Sequence, residues 1–189
     1  MDATALLRPH LLDGRVVALG GGGRENALGA PLAALGATTA LLPATPDEDA
    51  LAAAVDPQTD VLVHDLRPAF GSGGGDGALR ATLDLAWVTV RAVANAAFIP
   101  DARGGKVTLV APPADEADPS AAGVWAAAEN LARTLSIEWA RHGIVTVAIT
   151  PGAATTDAEL GALAAYLASP AGDYWSGCRL ALGETALTA

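Results

Sequence analysis

The chain has 189 residues, 51% of them hydrophobic, a net charge of −10 and one cysteine, Cys178. That length fits one domain with a substantial core, and no apolar run reaches the roughly 18 residues of a membrane-spanning helix. The acidic balance argues against nucleic acid or an anionic membrane as partner, and a single cysteine excludes an internal disulfide. Arg8, His10 and Asp13 break up the first 14 residues, so no signal peptide is expected and the cytoplasm is the expected compartment. Aromatic residues are few, with four Trp set against two Tyr and two Phe.

Arg15-Val16-Val17-Ala18-Leu19 is a β-prone apolar run, followed at once by four glycines, Gly20 to Gly23. A helix of small residues is expected over 26–35, closed by Gly36. Strand, glycine-rich turn and helix form the opening of a dinucleotide-binding unit, in which a pyrophosphate rests on the helix N-terminus. Residues 37–42 read as a second strand, running into Pro43-Ala44-Thr45-Pro46, and 47–55 as a short helix. Thr59-Asp60-Val61-Leu62-Val63-His64 reads as a buried strand. His64 and Asp65 are neighbours there and point to opposite faces, so they do not form an acid/base pair. Residues 71–77 read as a flexible glycine-rich loop.

A long helix is expected over 78–98, with Leu79, Leu83, Trp87, Val90, Ala94 and Ala97 at helical spacing, ended by Pro100. Residues 104–110 form the next strand, leading to Ala111-Pro112-Pro113 and an acidic loop with Asp115, Glu116 and Asp118. Ser120 is the expected N-cap of a second long helix over 121–142, with a Leu131, Leu135 and Trp139 stripe and Gly143 at its end. Residues 144–149 form a strand followed by Pro151-Gly152. A helix over 159–167, a turn at 169–172 and a strand over 175–182 complete the chain, with Cys178 read as a core residue.

These segments resemble, from residue 11 to about residue 183, the short-chain dehydrogenase/reductase family. The best match is Arg141-His142-Gly143-Ile144, its strand, and Pro151-Gly152. The resemblance implies an α/β fold: a single Rossmann-like domain with a doubly wound parallel sheet between two helical layers. It is shortened, with one strand and the substrate-covering helices missing. The family's catalytic Asn, Ser, Tyr and Lys fall here on Asp84, Pro112, Trp125 and Glu129. An indole does not release a proton at neutral pH, proline has no hydroxyl, and a carboxylate does not replace the lysine cation. In the glycine motif the resemblance places Gly20, Gly21 and Gly23 near a cofactor. With Gly21 as the first glycine, Glu25 and Ala27 take the later places; with Gly23 in the middle, Glu25 takes the last. Either register brings a carboxylate toward a pyrophosphate. The family's Asn-Asn-Ala-Gly reads His64-Asp65-Leu66-Arg67, no ribose reader stands at Pro43 to Pro46, and Thr155 or Thr156 matches the nicotinamide-binding threonine or caps the next helix.

No catalytic residue, metal or cofactor is therefore expected, NAD(P) being the cofactor if one binds. The leading expectation is a pseudoenzyme: a non-catalytic subunit that pairs with an active member of the family in a hetero-oligomer, or else with itself. The family pairs through the two long helices, here carrying Trp87, Val90, Leu131, Leu135 and Trp139. One alternative is an NAD(P)-dependent oxidoreductase using Glu129 or Asp84. Another is a ligand-binding or regulatory module in the relic nucleotide pocket.

Overall fold

A computed structural model describes residues 3–22, 27–71, 75–113 and 119–183. Its centre is a six-stranded, all-parallel sheet: β1 (Val16–Gly20), β2 (Thr38–Leu41), β3 (Val61–Asp65), β4 (Gly105–Val110), β5 (Ile144–Pro151) and β6 (Arg179–Leu182). The order across the sheet is β2-β1-β3-β4-β5-β6. The reversal between β1 and β3 is the switch point at which sheets of this kind hold ligands. Register is continuous there, Val17 to Gly20 pairing with Val61 to His64 and Val61 to Asp65 with Lys106 to Val110.

Strand alternation divides the core in two. Val17, Leu19, Val61, Val63, Val147 and Ile149 pack under α1 (Gly29–Ala34) and α6 (Asp157–Ala168). Ala18, Leu62, Val107, Leu109 and Ala148 pack under α2 (Glu48–Ala54), α4 (Gly75–Val93) and α5 (Pro119–Glu138). The remaining helix, α3 (Arg67–Gly71), follows β3 directly. Because both faces are covered, β3 is buried at all five positions, which gives its unbroken apolar run.

Several boundaries differ from the sequence reading. Helix α1 starts only at Gly29 and has no side-chain cap. The turn residues Gly23 and Glu25 lie outside the described residues, as do Asp115, Glu116 and Asp118. Helix α4 starts at Gly75 and passes into a π-helical turn over Ala94–Phe98. There Phe98 lies on Gly105, where an added Cβ would stand 2.3 Å from the ring. Ser120 is inside α5 rather than at its cap, and Pro170–Trp175 is a 3-10 turn, which shortens the last strand to four residues. Strand β2 forms one edge of the sheet. At the other end, α6 follows β5 after a five-residue connection, with no covering helices between them. Among the described residues, no helix is long and apolar enough to cross a membrane.

Both long helices turn small residues to the sheet. Ala78, Thr82, Ala86, Thr89, Val90, Ala92 and Val93 are the buried positions of α4. Ala121, Val124, Ala128, Ala132 and Leu135 are those of α5. Val90 and Leu135 are thus core residues, closed to a partner in the folded chain. Trp87, 38% exposed, remains on the outside with its ring stacked on Trp139 at 6.5 Å, and Leu131 is half-buried beside them.

Candidate functional site

The C-terminal edge of the sheet carries a cleft and, beside it, a set of polar side chains tied to one another. The cleft has a volume of about 550 Å³ and is lined chiefly by Gly21, Gly22, Ala44, Pro46, Pro68 and Leu85. Its glycines are required by close approach. Gly21 has φ +104°, and a Cβ there would stand 1.8 Å from the carbonyl oxygen of Asp65. The loop Pro43 to Pro46, an ordinary connection by its sequence, supplies one wall. Asp84 lies at the rim, two-thirds exposed, with its carboxylate 3.6 Å from Arg80 one helical turn away.

At the end of β3 the two-residue period separates His64 from Asp65, as their adjacency predicts. His64 turns to the α4 side beneath Gly20, where a Cβ would meet its Nδ1 at 2.4 Å. It is 1% exposed, and burial pushes its pKa down to about 4, so the ring is neutral. Asp65 instead receives Arg67: Nε donates to Oδ1 at 2.8 Å and Nη2 to Oδ2 at 2.7 Å. The third nitrogen, Nη1, donates to Asp157 at 2.5 Å. Hydrogen bonding to Asp65 holds the guanidinium well above its ordinary pKa. Arg67 thereby forms a strap from the end of β3 to the start of α6, over the end of β4 that lies between β3 and β5.

The next cluster joins Pro112, Trp125 and Glu129, three of the four positions to which the sequence resemblance assigns catalytic residues. The Trp125 indole N–H donates to the carbonyl of buried Pro112 at 2.5 Å. Glu129, one turn along α5, pairs with Arg133 at 2.7 Å and with Arg179 of β6 at 3.7 Å. The Arg179 guanidinium also lies 5.8 Å from the centre of the Trp125 ring, within cation–π range. Asp84 stands apart from this cluster on α4. Nearby, the Thr155 hydroxyl donates to the Leu182 carbonyl at 2.8 Å. Thr156 caps α6 in a reciprocal box with Glu159.

The structure links Pro112 to Trp125 by a hydrogen bond, and Trp125 to Glu129 through their shared neighbour Arg179; sequence reasoning places Trp125 and Glu129 one helical turn apart. It misses Arg67 and Arg179. The signal for Arg179 was a cation on a short apolar strand opposite a helix whose own expected cation had become Glu129. The arrangement has hydrogen-bond donors and matched charges, but its indole is a donor only and its carboxylate is held by two guanidinium groups. Among the described residues no group of His, Cys, Asp and Glu gathers in metal-binding fashion.

A scan against protein-family models and a search of curated proteins each find no match. Solved structures do match. The citronellol catabolism dehydrogenase AtuB of Pseudomonas aeruginosa PAO1 is 20% identical, with 94% of this chain and 96% of that one covered and a TM-score of 0.73. A hydroxysteroid dehydrogenase from Escherichia coli is 21% identical over 91% of this chain and 96% of that one, with a TM-score of 0.70. An enoyl-acyl carrier protein reductase of Bacillus cereus, solved with NADP+ and an indole naphthyridinone, is 14% identical over 91% and 96%, with a TM-score of 0.71. At these identities the likeness establishes the fold: a shortened short-chain dehydrogenase fold of the Rossmann-like type.

Proposed function

We propose that this chain is a non-catalytic subunit with the fold of the short-chain dehydrogenases, which pairs with an active protein of that fold and stabilises it or shapes its substrate entrance. The observation that carries the reading is the closed network around the relic site. Trp125 is bound to Pro112, Thr155 to Leu182, Glu129 to Arg133 and Arg179, and Arg67 to Asp65 and Asp157. A nicotinamide dinucleotide suits the two ends of this edge unequally. The glycine turn and apolar cleft suit an adenosine half, whereas the Arg67 strap and the engaged Thr155 occupy the groups a nicotinamide half needs.

The pairing surface in this reading is the outer face of α4 and α5. It holds the Trp87–Trp139 stack, an apolar groove of about 450 Å³ between Leu83, Trp87, Ala127 and Leu131, and Ile137, 79% exposed. Stacked tryptophans at such a groove are favoured anchors. Co-purification from the native host, with mass in solution and calorimetric titration of NADH and NADPH, tests the proposal. A complex with an active dehydrogenase is expected. A stable homo-oligomer that binds either cofactor at micromolar concentration would sink it. The 550 Å³ cleft favours a second reading, a ligand-binding module, which predicts ligand binding without a partner subunit.

A further inference from the structure

The aromatic residues of this chain are scarce, yet both tyrosines and one tryptophan meet far from the cleft. Tyr166, Tyr174 and Trp175 line, with Ala171, an open pocket of about 400 Å³. It lies at the C-terminal end of α6 and on the 3-10 turn Pro170–Trp175 that follows. Tyr166 and Trp175 pack partly against the core, whereas Tyr174 is 89% exposed, a position that folding alone does not reward.

We propose that this pocket is a binding site for an organic ammonium cation of the trimethylammonium class, held on the faces of Tyr166, Tyr174 and Trp175. Three separate features point to positive charge. Aromatic faces carry a negative quadrupole that attracts cations, more so where water is partly excluded. The pocket sits at the carbonyl end of a twelve-residue helix, which is the negative end of its dipole. That end already draws one cation, because the Lys106 ammonium donates to the carbonyls of Leu167 and Ser169. The Lys106 charge is itself matched by Asp173 at 2.6 Å, so it leaves no excess positive charge against an incoming ligand. The chain as a whole carries −10, which favours the approach of a cation. The site is independent of the proposed subunit role, since it shares no residue with the cleft or with the outer face of α4 and α5.

The test uses choline and its uncharged isostere 3,3-dimethylbutan-1-ol, titrated into the full chain by ligand-observed NMR. Choline is expected to bind about tenfold or more tightly than the isostere, since only the charge differs. Tyr174→Ala is expected to weaken choline several-fold with the melting temperature unchanged, and Trp175→Phe to weaken it less than Trp175→Ala. Equal affinity for the two probes would overturn the proposal and show a merely apolar docking surface, such as one for a proline-rich strand. Absence of choline binding, or choline binding unaltered in Tyr174→Ala, would overturn it as well.

Discussion

Replacing Arg67 with methionine keeps the aliphatic stem and removes the guanidinium that ties β3 to α6. The Asp65 side chain is 6% exposed and takes its two strongest bonds from Arg67. After the substitution it keeps the Arg67 backbone N–H, at 3.1 Å, and little else. Removing one member of a fully buried ion pair costs about 3–5 kcal/mol, because the other charge is left uncompensated. Arg67 is 24% exposed and Asp157 54%, so water reaches one side of the strap. The expected loss is therefore about 2–3 kcal/mol, and roughly 5–10 °C in melting temperature for a chain of this size. Urea unfolding followed by circular dichroism gives the value. Pairing Arg67→Met with Asp65→Asn removes the orphaned charge and should recover more than half of the loss. A loss below about 0.5 kcal/mol, the scale of a surface pair, would refute the strap as a buried tie.

Two further outcomes follow from the same geometry. His64 has a folded-state pKa near 4 against the ordinary 6.5, so its neutral form stabilises the fold fully above pH 6.5, and that contribution falls as pH drops from 6.5 toward 4. The loss attributable to it is about 3 kcal/mol at pH 4, and His64→Gln should flatten that part of the stability profile; an unchanged slope would contradict the assignment. Trp125→Phe leaves the buried Pro112 carbonyl without its indole partner and is expected to cost about 1–3 kcal/mol in denaturant unfolding.

How far the sequence carries the reader depends on the range of each interaction. Strand β3 is plain because both its faces are covered, so every residue reports burial. Trp125 and Glu129 are placed together by counting, since four residues make about one turn of α5. The strap is not found that way: Arg67 and Asp157 are 90 residues apart and meet only when β3 and β5 flank β4. Val90 and Leu135 were misplaced for another reason. A stripe of large apolar residues does not say which side of a helix meets the sheet, and here Ala78, Thr82, Ala86, Ala128 and Ala132 take that side, allowing close approach. The larger Leu79, Leu83 and Trp87 are left toward the helix–helix groove and solvent.

Strand β2, at the sheet's edge, has a bearing on how the chain behaves when crowded. An edge with unpaired N–H and C=O groups is a template for fibre growth. Here the template is four residues long, with Leu41 half exposed. It ends where Leu42 turns inward to bond Leu19, and the following Pro43 has no N–H to offer a newcomer. Two intermolecular hydrogen bonds or so do not repay the ordering of an added strand. The β2 edge is therefore a poor template for an added strand, and the concentration at which the chain is handled or expressed is not set by that edge.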